Sequence, residues 1–270
     1  MRLTVHGREV YVYTGARALE PSLPTILFVH GAANDHSVWA WQSRYFAHHG
    51  HNALAVDLPG HGRSAGAPLR SVEAIAAWIP ALLHAAGVDR AVVVGHSLGA
   101  LVALEVAAAC ADRIDSIVLL GPAVPMPVAE PLLEAARADD HVAYELVAGW
   151  SHSAARQLGG NAVPGMWMMG GALRLMERSA PGVLHADLLA CNAYSSGLAT
   201  ATRIRCPALI LVGARDRMAP PRAAQALVDA LADSRVVTLA HSGHAMMAEE
   251  PDQVLDALRS FVQLRQARLS

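Results

Sequence analysis

The feature that most constrains this chain is a junction between a strand and a helix that turns on a single serine. Residues 91–109 read AVVVGHSLGALVALEVAAA, in which a valine-rich run leads into Gly95-His96-Ser97-Leu98-Gly99 and then into an alanine- and leucine-rich stretch. The run predicts a buried strand, and the stretch predicts a helix that begins at Leu98. Flanking glycines relieve steric crowding where the backbone of a serine is bent sharply. The junction therefore predicts an α/β unit with the Ser97 hydroxyl above the carboxyl end of a sheet.

The rest of the chain alternates between strand-like and helix-like segments. Besides the strand before Ser97, apolar or alternating runs predict strands within residues 8–15, 25–31, 52–62, 116–122, 207–216 and 235–240, with a short hairpin partner before residue 8. Helices are predicted over residues 38–49, 71–86, 221–232 and 251–266, besides the one that begins at Leu98. Strands that alternate with helices of this length imply a mostly parallel sheet with right-handed crossovers.

The alternation stops between residues 123 and 204. This stretch has no strong strand signal and contains amphipathic helical pieces, and it is too long for a simple loop. We expect it to be a helical cap over one edge of the sheet. The predicted domains are an α/β core, residues 1–122 and 205–270, and a cap, residues 123–204.

Composition excludes several classes of protein. The 270-residue chain has a formal net charge of -2, without the basic character of a nucleic-acid binder, and no apolar run reaches the roughly 18 residues that span a bilayer. None of the 21 Lys+Arg residues is a lysine, which rules out a Schiff base, a P-loop lysine or a Ser–Lys dyad. No signal peptide is visible, and the three widely spaced cysteines are typical of buried thiols, so we expect a cytoplasmic location.

Ser97 is a candidate nucleophile, and it needs a general base because a serine hydroxyl scarcely ionises at neutral pH. His244 lies in LAHSGHAMMAEEP, in a predicted loop after the last strand, whereas His241 falls at the strand end, where a structural role is expected. Asp216 follows another strand in LILVGARDRMAPP. The order serine, acid, histidine favours Asp216 over Asp57, which precedes the nucleophile. The alternative for Ser97 and His244 is that they only cap helices. The alternative for Asp216 is that it only pairs with a neighbouring arginine.

A backbone site for an anion is predicted beside the serine. A central strand ends in His30-Gly31-Ala32. The N–H group of Ala32 and that of Leu98, which follows the nucleophile, are candidates to hold a developing oxyanion. An ordinary turn at the strand end is the alternative for the first of these positions.

Five motifs together resemble the α/β-hydrolase fold family, in its lidded esterase, epoxide-hydrolase and C–C-hydrolase-like branch. They are HGAANDHSVW, DLPGHGRS, GHSLG, GARDRMAP and SGHAMMAEEP, and the resemblance covers residues 10–121 and 207–266. It implies an eight-stranded sheet. It also implies that Ser97 is the nucleophile, His244 the base and Asp216 the acid. The oxyanion donors that it implies are the backbone N–H groups of Ala32 and Leu98. A serine nucleophile argues against the dehalogenase and epoxide-hydrolase chemistries of this fold, and Tyr144 and Tyr194 are not an assignable pair for activating an epoxide.

The predicted reaction is hydrolysis of a small to medium, largely apolar carboxylic ester through an acyl-enzyme. It needs a small-molecule substrate and neither a cofactor nor a metal. Two enzyme alternatives, C–C bond hydrolysis and perhydrolysis, use the same triad, with Asn34, Asp35, Arg156 or Arg174 as sources of extra polar groups. A third interpretation is a non-catalytic ligand receptor on this fold. The sequence leaves open whether the chain is a monomer or a homodimer.

Methionine and tryptophan are concentrated in the predicted cap. Such side chains form a large, adaptable apolar surface, and packing against the sheet is the alternative for each one taken singly. The residues expected to line a substrate pocket are Trp150, Trp167, Met168, Met126 and Met247, with Met166, Met169 and Met246 in the same clusters. Because the cap has more acidic than basic residues, a polyanionic substrate is not expected.

Overall fold

A single eight-stranded sheet runs through the protein in a computed structural model that describes residues 1–160 and 167–269. Its strands are β1 (Arg2–Val5), β2 (Arg8–Tyr13), β3 (Thr25–Val29), β4 (Asn52–Val56), β5 (Ala91–His96), β6 (Ile114–Leu120), β7 (Ala208–Gly213) and β8 (Ser234–Leu239). They lie in the order β1-β2-β4-β3-β5-β6-β7-β8. The pairs β1–β2 and β2–β4 are antiparallel, and every pair from β4 to β8 is parallel. The predicted fold class is confirmed.

Helices cover both faces of the sheet. They are α1 (Ala40–Ala47), α2 (Val72–Ala85), α3 (Leu98–Ala109), α4 (Glu130–Arg137), α5 (His141–Ser151), α6 (Ala154–Gln157), α7 (Met168–Met176), α8 (Val183–Ala193), α9 (Gly197–Ala201), α10 (Gln225–Ala230), α11 (Met246–Glu249) and α12 (Pro251–Leu269). One apolar core lies between the sheet and α2 and α3, and a second lies between the sheet and α1 and α12. Strands β3, β4 and β5 are buried along their whole length as a result. None of the helices in the described part of the chain combines the length and hydropathy needed to cross a bilayer.

The stretch between β6 and β7 is helical. Residues 123–204, here named the helical insertion, contain α4 to α9 and no strand among their described residues. Leucines of α4 and α8, including Leu132 and Leu188, pack with Ala33 of the loop after β3 in a third apolar cluster. This packing brings the insertion against the carboxyl end of β3, close to the Ser97 turn.

Two helix boundaries differ from the prediction for local reasons. The helix predicted over residues 38–49 starts earlier, as a 3-10 turn at His36–Trp39, because the Asp35 side chain caps that turn before α1 follows. The helix predicted over residues 221–232 also starts with a 3-10 turn, Pro221–Ala224, before the six residues of α10. The short helices α6 and α9 were not predicted, because four or five residues carry too little periodicity to be recognised.

Candidate active site

Ser97 occupies the sharp turn between β5 and α3. Its backbone has φ 55° and ψ -117°, a left-handed conformation that is strained for a residue other than glycine. The neighbouring chain holds it there, because a Cβ at Gly95 would overlap the Gly99 carbonyl, and a Cβ at Gly99 would overlap the Val29 carbonyl. The turn leaves Ser97 partly exposed on the wall of a cavity at the carboxyl end of the sheet.

His244 lies on the wall of the same cavity, in the loop between β8 and α11. Its Nδ1–H donates to Asp216 Oδ2 at 2.7 Å. The other oxygen, Asp216 Oδ1, accepts the N–H groups of Met218 and Ala219, both at 2.8 Å. The carboxylate is therefore fixed from both sides and holds the imidazole in one orientation. His244 Nε2 is buried and has no hydrogen-bond partner among the described residues, so it is free to accept a proton from a group in the cavity.

The rival candidates lie elsewhere. His241 is exposed, and its ring is 3.4 Å from the guanidinium of Arg215. Asp57 accepts hydrogen bonds from His36 and from the Arg63 N–H, which reinforce the loop after β4. Burial alone would raise the pKa of Asp57, but these hydrogen bonds outweigh burial and lower it. Neither residue contacts the Asp216–His244 pair.

The two predicted oxyanion donors are at the ends of β3 and β5. Ala32 lines the cavity with Ser97, and the Leu98 N–H is the first of helix α3. Within residues 1–160 and 167–269, neither N–H donates to a protein acceptor. The Leu98 side chain is buried in the core, so only its backbone is available for this role. The helix dipole of α3 adds partial positive charge at the same place.

His96 and Gly121 support the His244 ring, and neither was singled out from the sequence for that role. His96 Nε2–H donates to the His244 carbonyl at 2.9 Å, and the two ring centroids are 4.7 Å apart. Burial and the neighbouring His244 lower the pKa of His96 to about 3, so His96 stays neutral. Gly121 follows β6 with φ +58°, and a Cβ at this position would lie 2.9 Å from Cε1 of the His244 ring. His96 is part of the Gly95–Gly99 motif, and this position is the sequence signal that would have indicated that it lies near His244.

Glu249, which was also missed, connects the histidine loop to the helical insertion. It is buried, and Oε1 accepts the Gly243 N–H at 2.9 Å. Its other oxygen, Oε2, accepts the N–H and the hydroxyl of Ser153 at 3.1 and 2.6 Å. A buried carboxylate that is bound to three donors keeps the loop before His244 in place. A glutamate in a short helix gives no sequence signal of this contact.

Two cavities share part of their lining, and Ser97 lies on the wall of the first. The first, of about 180 Å³, is bounded by Ser97 and His244, and the second, of about 250 Å³, extends under α7. Both are lined by Asn34, His96, Val147 and Ser151. Of the predicted pocket residues, Met126 and Trp150 line the first cavity, and Trp167, Met168 and Met247 line the second. Met169 and Met246 lie instead in apolar clusters, and Met166 lies outside the described residues.

Most of the other polar candidates are engaged away from the cavities. Asp35 pairs with Arg178 at 3.0 Å, and Arg156 pairs with Glu250 at 2.7 Å. The remaining candidates, Arg174, Tyr144 and Tyr194, do not line either cavity, whereas Asn34 lines both. Among the described residues, Asn34 is therefore the only one of the four proposed sources of extra polar groups that faces the serine site.

One cluster of possible metal ligands lies beside the site. Ligand atoms of Asp35, His36 and Asp57 are within 4.8 Å of one another. The carboxylate oxygens already accept hydrogen bonds from Ser37 and Arg178 at Asp35, and from His36 at Asp57. Since these oxygens already accept hydrogen bonds from a guanidinium and from backbone N–H groups, we assign this cluster a role in loop structure.

Comparisons with known proteins agree with this architecture. The model of the Alpha/beta hydrolase family matches residues 26–257. Pimeloyl-[acyl-carrier protein] methyl ester esterase of Aromatoleum aromaticum is 30% identical over 244 residues, which are 85% of this chain and 94% of that protein. Lipase LipV of Mycobacterium tuberculosis is 40% identical over 107 residues, and that match covers 38% of this chain and 40% of LipV. The enol-lactonase from Burkholderia xenovorans LB400 superposes with a TM-score of 0.85 at 24% identity, covering 97% of this chain and 100% of that chain. The chain belongs to the alpha/beta hydrolase family and is an enzyme of the hydrolase class.

Proposed function

We propose that the protein is a serine hydrolase that cleaves a small to medium, largely apolar carboxylic ester. The observation that carries the proposal is the arrangement around the first cavity, which is lined by Ser97, by Ala32 and by His244, whose ring is held by Asp216. A nucleophile, a base fixed by an acid, and unpaired backbone donors are the components that acyl transfer requires.

The proposed reaction proceeds in two steps through an acyl-enzyme. Ser97 Oγ attacks the ester carbonyl carbon while His244 Nε2 takes the hydroxyl proton. The N–H groups of Ala32 and Leu98 stabilise the oxyanion. Protonated His244 then gives its proton to the departing alcohol, and the C–O bond of the ester breaks. In the second step His244 activates a water molecule, which releases the carboxylic acid and restores Ser97.

The cavity lining supports an apolar, uncharged substrate. The described lining of the second cavity contains no arginine and no carboxylate, and Arg217 is the one arginine that lines the first. Because the two cavities share part of their lining and Ser97 lies on the wall of the first, we propose that the groups on the two sides of the ester bond occupy one cavity each. The pimeloyl methyl ester esterase among the relatives also supports ester chemistry.

We also propose that the helical insertion, residues 123–204, acts as the cap of the site, and that residues 1–122 and 205–270 form the core. The support is that the insertion supplies apolar walls to both cavities, including Trp150 in the first and Met168 in the second. Shape and polarity at these walls set which ester fits, whereas the core carries the chemistry.

The test is hydrolysis of a panel of chromogenic esters of increasing acyl length by the wild type and by Ser97→Ala. We expect the variant to lose turnover and to unfold within about 1 kcal/mol of the wild type, or to be more stable, because the change removes only a hydroxyl that serves activity and not packing. A phosphonate reagent should label Ser97 in the wild type. Asp57→Asn serves as a control for carboxylate loss outside the pair. Wild-type turnover by Ser97→Ala would refute the proposal.

Two alternatives give different outcomes in the same panel. A C–C hydrolase would need a keto acid substrate, and a perhydrolase would need peroxide, so neither would show rapid hydrolysis of simple esters. Asn34 is the cavity residue available to bind the extra polar group of such a substrate. A non-catalytic receptor would bind esters and barely hydrolyse them. Rapid ester turnover that depends on Ser97 would exclude the receptor.

A further inference from the structure

The loop that carries Ala32 is held by an acid from the helical insertion. Asp187, on α8, is fully buried, and its Oδ2 accepts the Ala33 N–H at 2.8 Å. Ala33 has φ +50°, a left-handed conformation in which a residue with a side chain is strained. Such a conformation persists only when the surroundings impose it, and the hydrogen bond to Asp187 is a specific constraint on this peptide.

Asp187 is itself fixed by a buried histidine. His61 Nε2–H donates to the same Oδ2 at 2.8 Å, and His61 Nδ1 is 3.1 Å from the Pro59 carbonyl. Both ring nitrogens face acceptors, an arrangement that favours the protonated imidazolium. Burial opposes protonation, but the Asp187 carboxylate and the Pro59 carbonyl outweigh it and raise the pKa of His61. The result is a buried His61–Asp187 hydrogen bond that bridges the core and the insertion and is not used by the proposed chemistry.

A second contact fixes the peptide next to it. The Gly31 carbonyl accepts from His30 Nδ1–H at 2.8 Å and from the Asn34 N–H at 3.3 Å. In a trans peptide the carbonyl and the following N–H point in opposite directions. Holding the Gly31 carbonyl therefore also fixes the direction of the Ala32 N–H, and both residues line the first cavity. Asp187 fixes the following peptide through the Ala33 N–H, so the backbone of Ala32 is constrained at both ends.

We propose that Asp187, supported by His61, is a positioning residue that keeps the Ala32 N–H aimed at the oxyanion site. The proposal rests on the proposed function, because it assigns the Ala32 N–H to the oxyanion. It makes helix α8 of the insertion part of the machinery that stabilises the transition state, beyond any role in shaping the pocket.

The kinetic test compares Asp187→Ala, Asp187→Asn and a control, Glu105→Gln. Glu105 accepts hydrogen bonds from Tyr194 and Thr200, so it also joins the insertion to the core, but it does not contact the Ala32 loop. Removal of an oxyanion donor typically lowers kcat by about 10²–10³-fold, so misaiming one should lower it by on the order of 10-fold or more. We expect that loss in Asp187→Ala with KM unchanged, a smaller loss in Asp187→Asn, which keeps an acceptor oxygen, and no loss in Glu105→Gln.

A boronic acid inhibitor provides a second readout, because its adduct with serine places an oxygen in the oxyanion site. Its affinity should fall by the same factor as kcat/KM in Asp187→Ala and stay unchanged in Glu105→Gln. Full kcat and full boronate affinity in a folded Asp187→Ala would overturn the proposal while leaving the ester hydrolase assignment intact. An equal loss in Glu105→Gln would also overturn it, because the effect would then reflect general loosening.

Amide hydrogen exchange tests the proposal without activity. In peptides that span residues 27–36, exchange should accelerate in Asp187→Ala and Asp187→Asn, but not in Glu105→Gln. Unchanged exchange in both Asp187 variants would refute the constraint on the loop even if the wild type hydrolysed no ester. If Asp187→Ala does not fold, the exchange of Asp187→Asn and His61→Gln is compared with that of the wild type and Glu105→Gln instead. If exchange accelerates in the Asp187 variants as expected but the wild type hydrolyses no ester, the proposed function is refuted and the constraint on the loop stands.

Discussion

Replacing Gly121 with alanine should damage the reaction by moving His244. A Cβ built on Gly121 would lie 2.9 Å from Cε1 and 3.0 Å from Nδ1 of the His244 ring. Carbon atoms in contact prefer a separation of about 3.5–4.0 Å, so the ring would have to retreat by about 0.6–1 Å. That movement lengthens the 2.7 Å hydrogen bond to Asp216 and changes the distance from Nε2 to the Ser97 hydroxyl.

The expected size of the effect follows from this displacement. Misplacing a catalytic group by about 1 Å can cost on the order of 10²-fold in rate, so we expect kcat of Gly121→Ala to fall by about 10- to 100-fold. The backbone cost is separate, since alanine at φ +58° loses about 1–2 kcal/mol of stability. The assay is steady-state hydrolysis of a chromogenic ester, together with urea denaturation of the same preparations.

Gly87 provides the matched control for the backbone cost. It has φ +68° at the end of α2, and a Cβ there would meet nothing within 4 Å. Gly87→Ala should therefore lose similar stability and keep its kcat. If both variants kept full activity, or if both lost it equally, the steric argument for the position of His244 would be wrong.

Three further outcomes can be measured. Asp216→Asn should lower kcat by on the order of 10³–10⁴-fold with little change in KM, because the imidazole loses its orientation, and a near-normal kcat would place the acid elsewhere. Burial, with a smaller contribution from a neighbouring histidine in each case, lowers the pKa of His30 to about 4 and that of His96 to about 3, so these rings stay unprotonated in the folded chain while the unfolded chain takes up protons below about 6.5. The free energy of unfolding should therefore fall by about 2–3 kcal/mol per unit as the pH drops from about 6.5 to 4, and a flat profile in urea denaturation would contradict this. Trp167→Ala or Met168→Ala should enlarge the second cavity and shift the preferred ester towards longer chains, as judged by kcat/KM across the series, whereas an unaffected series would mean that this wall does not set specificity.

The sheet and the serine turn could be predicted because their signals are local. An apolar run, a glycine on each side of Ser97 and an alanine-rich helix lie within nineteen consecutive residues, so short-range sterics define the turn. Asp216 and His244 follow strands in the same way. Parallel strands place their carboxyl ends at one edge, and the structure brings the side chains that follow them together there. Their catalytic roles remain predictions.

The supporting contacts could not be predicted because they join distant parts of the chain. Asp187 meets Ala33 across 154 positions, and Glu249 meets Ser153 across 96. Each acid lies in a helix of ordinary composition, where a carboxylate is most often solvated. Only the packing of the insertion against the core buries them, and that packing depends on many weak apolar contacts rather than on a motif.

If the helical insertion is the proposed cap, its bonds to the core bear on how a substrate would reach Ser97. Ser153 is bound to Glu249, Tyr194 to Glu105, and Asp187 to Ala33, at separate places along the insertion. Hydrogen bonds to charged groups stabilise by about 1.5–3 kcal/mol each, so breaking all three would cost on the order of 5–9 kcal/mol before any apolar surface met water. Substrate and product must then pass through brief movements of the side chains at the opening of the cavities. We expect no sharp increase in the hydrolysis rate when an ester passes its critical micelle concentration. Such an increase would require a lid that opens at a lipid–water interface, and an insertion bonded at three places does not open as a lid.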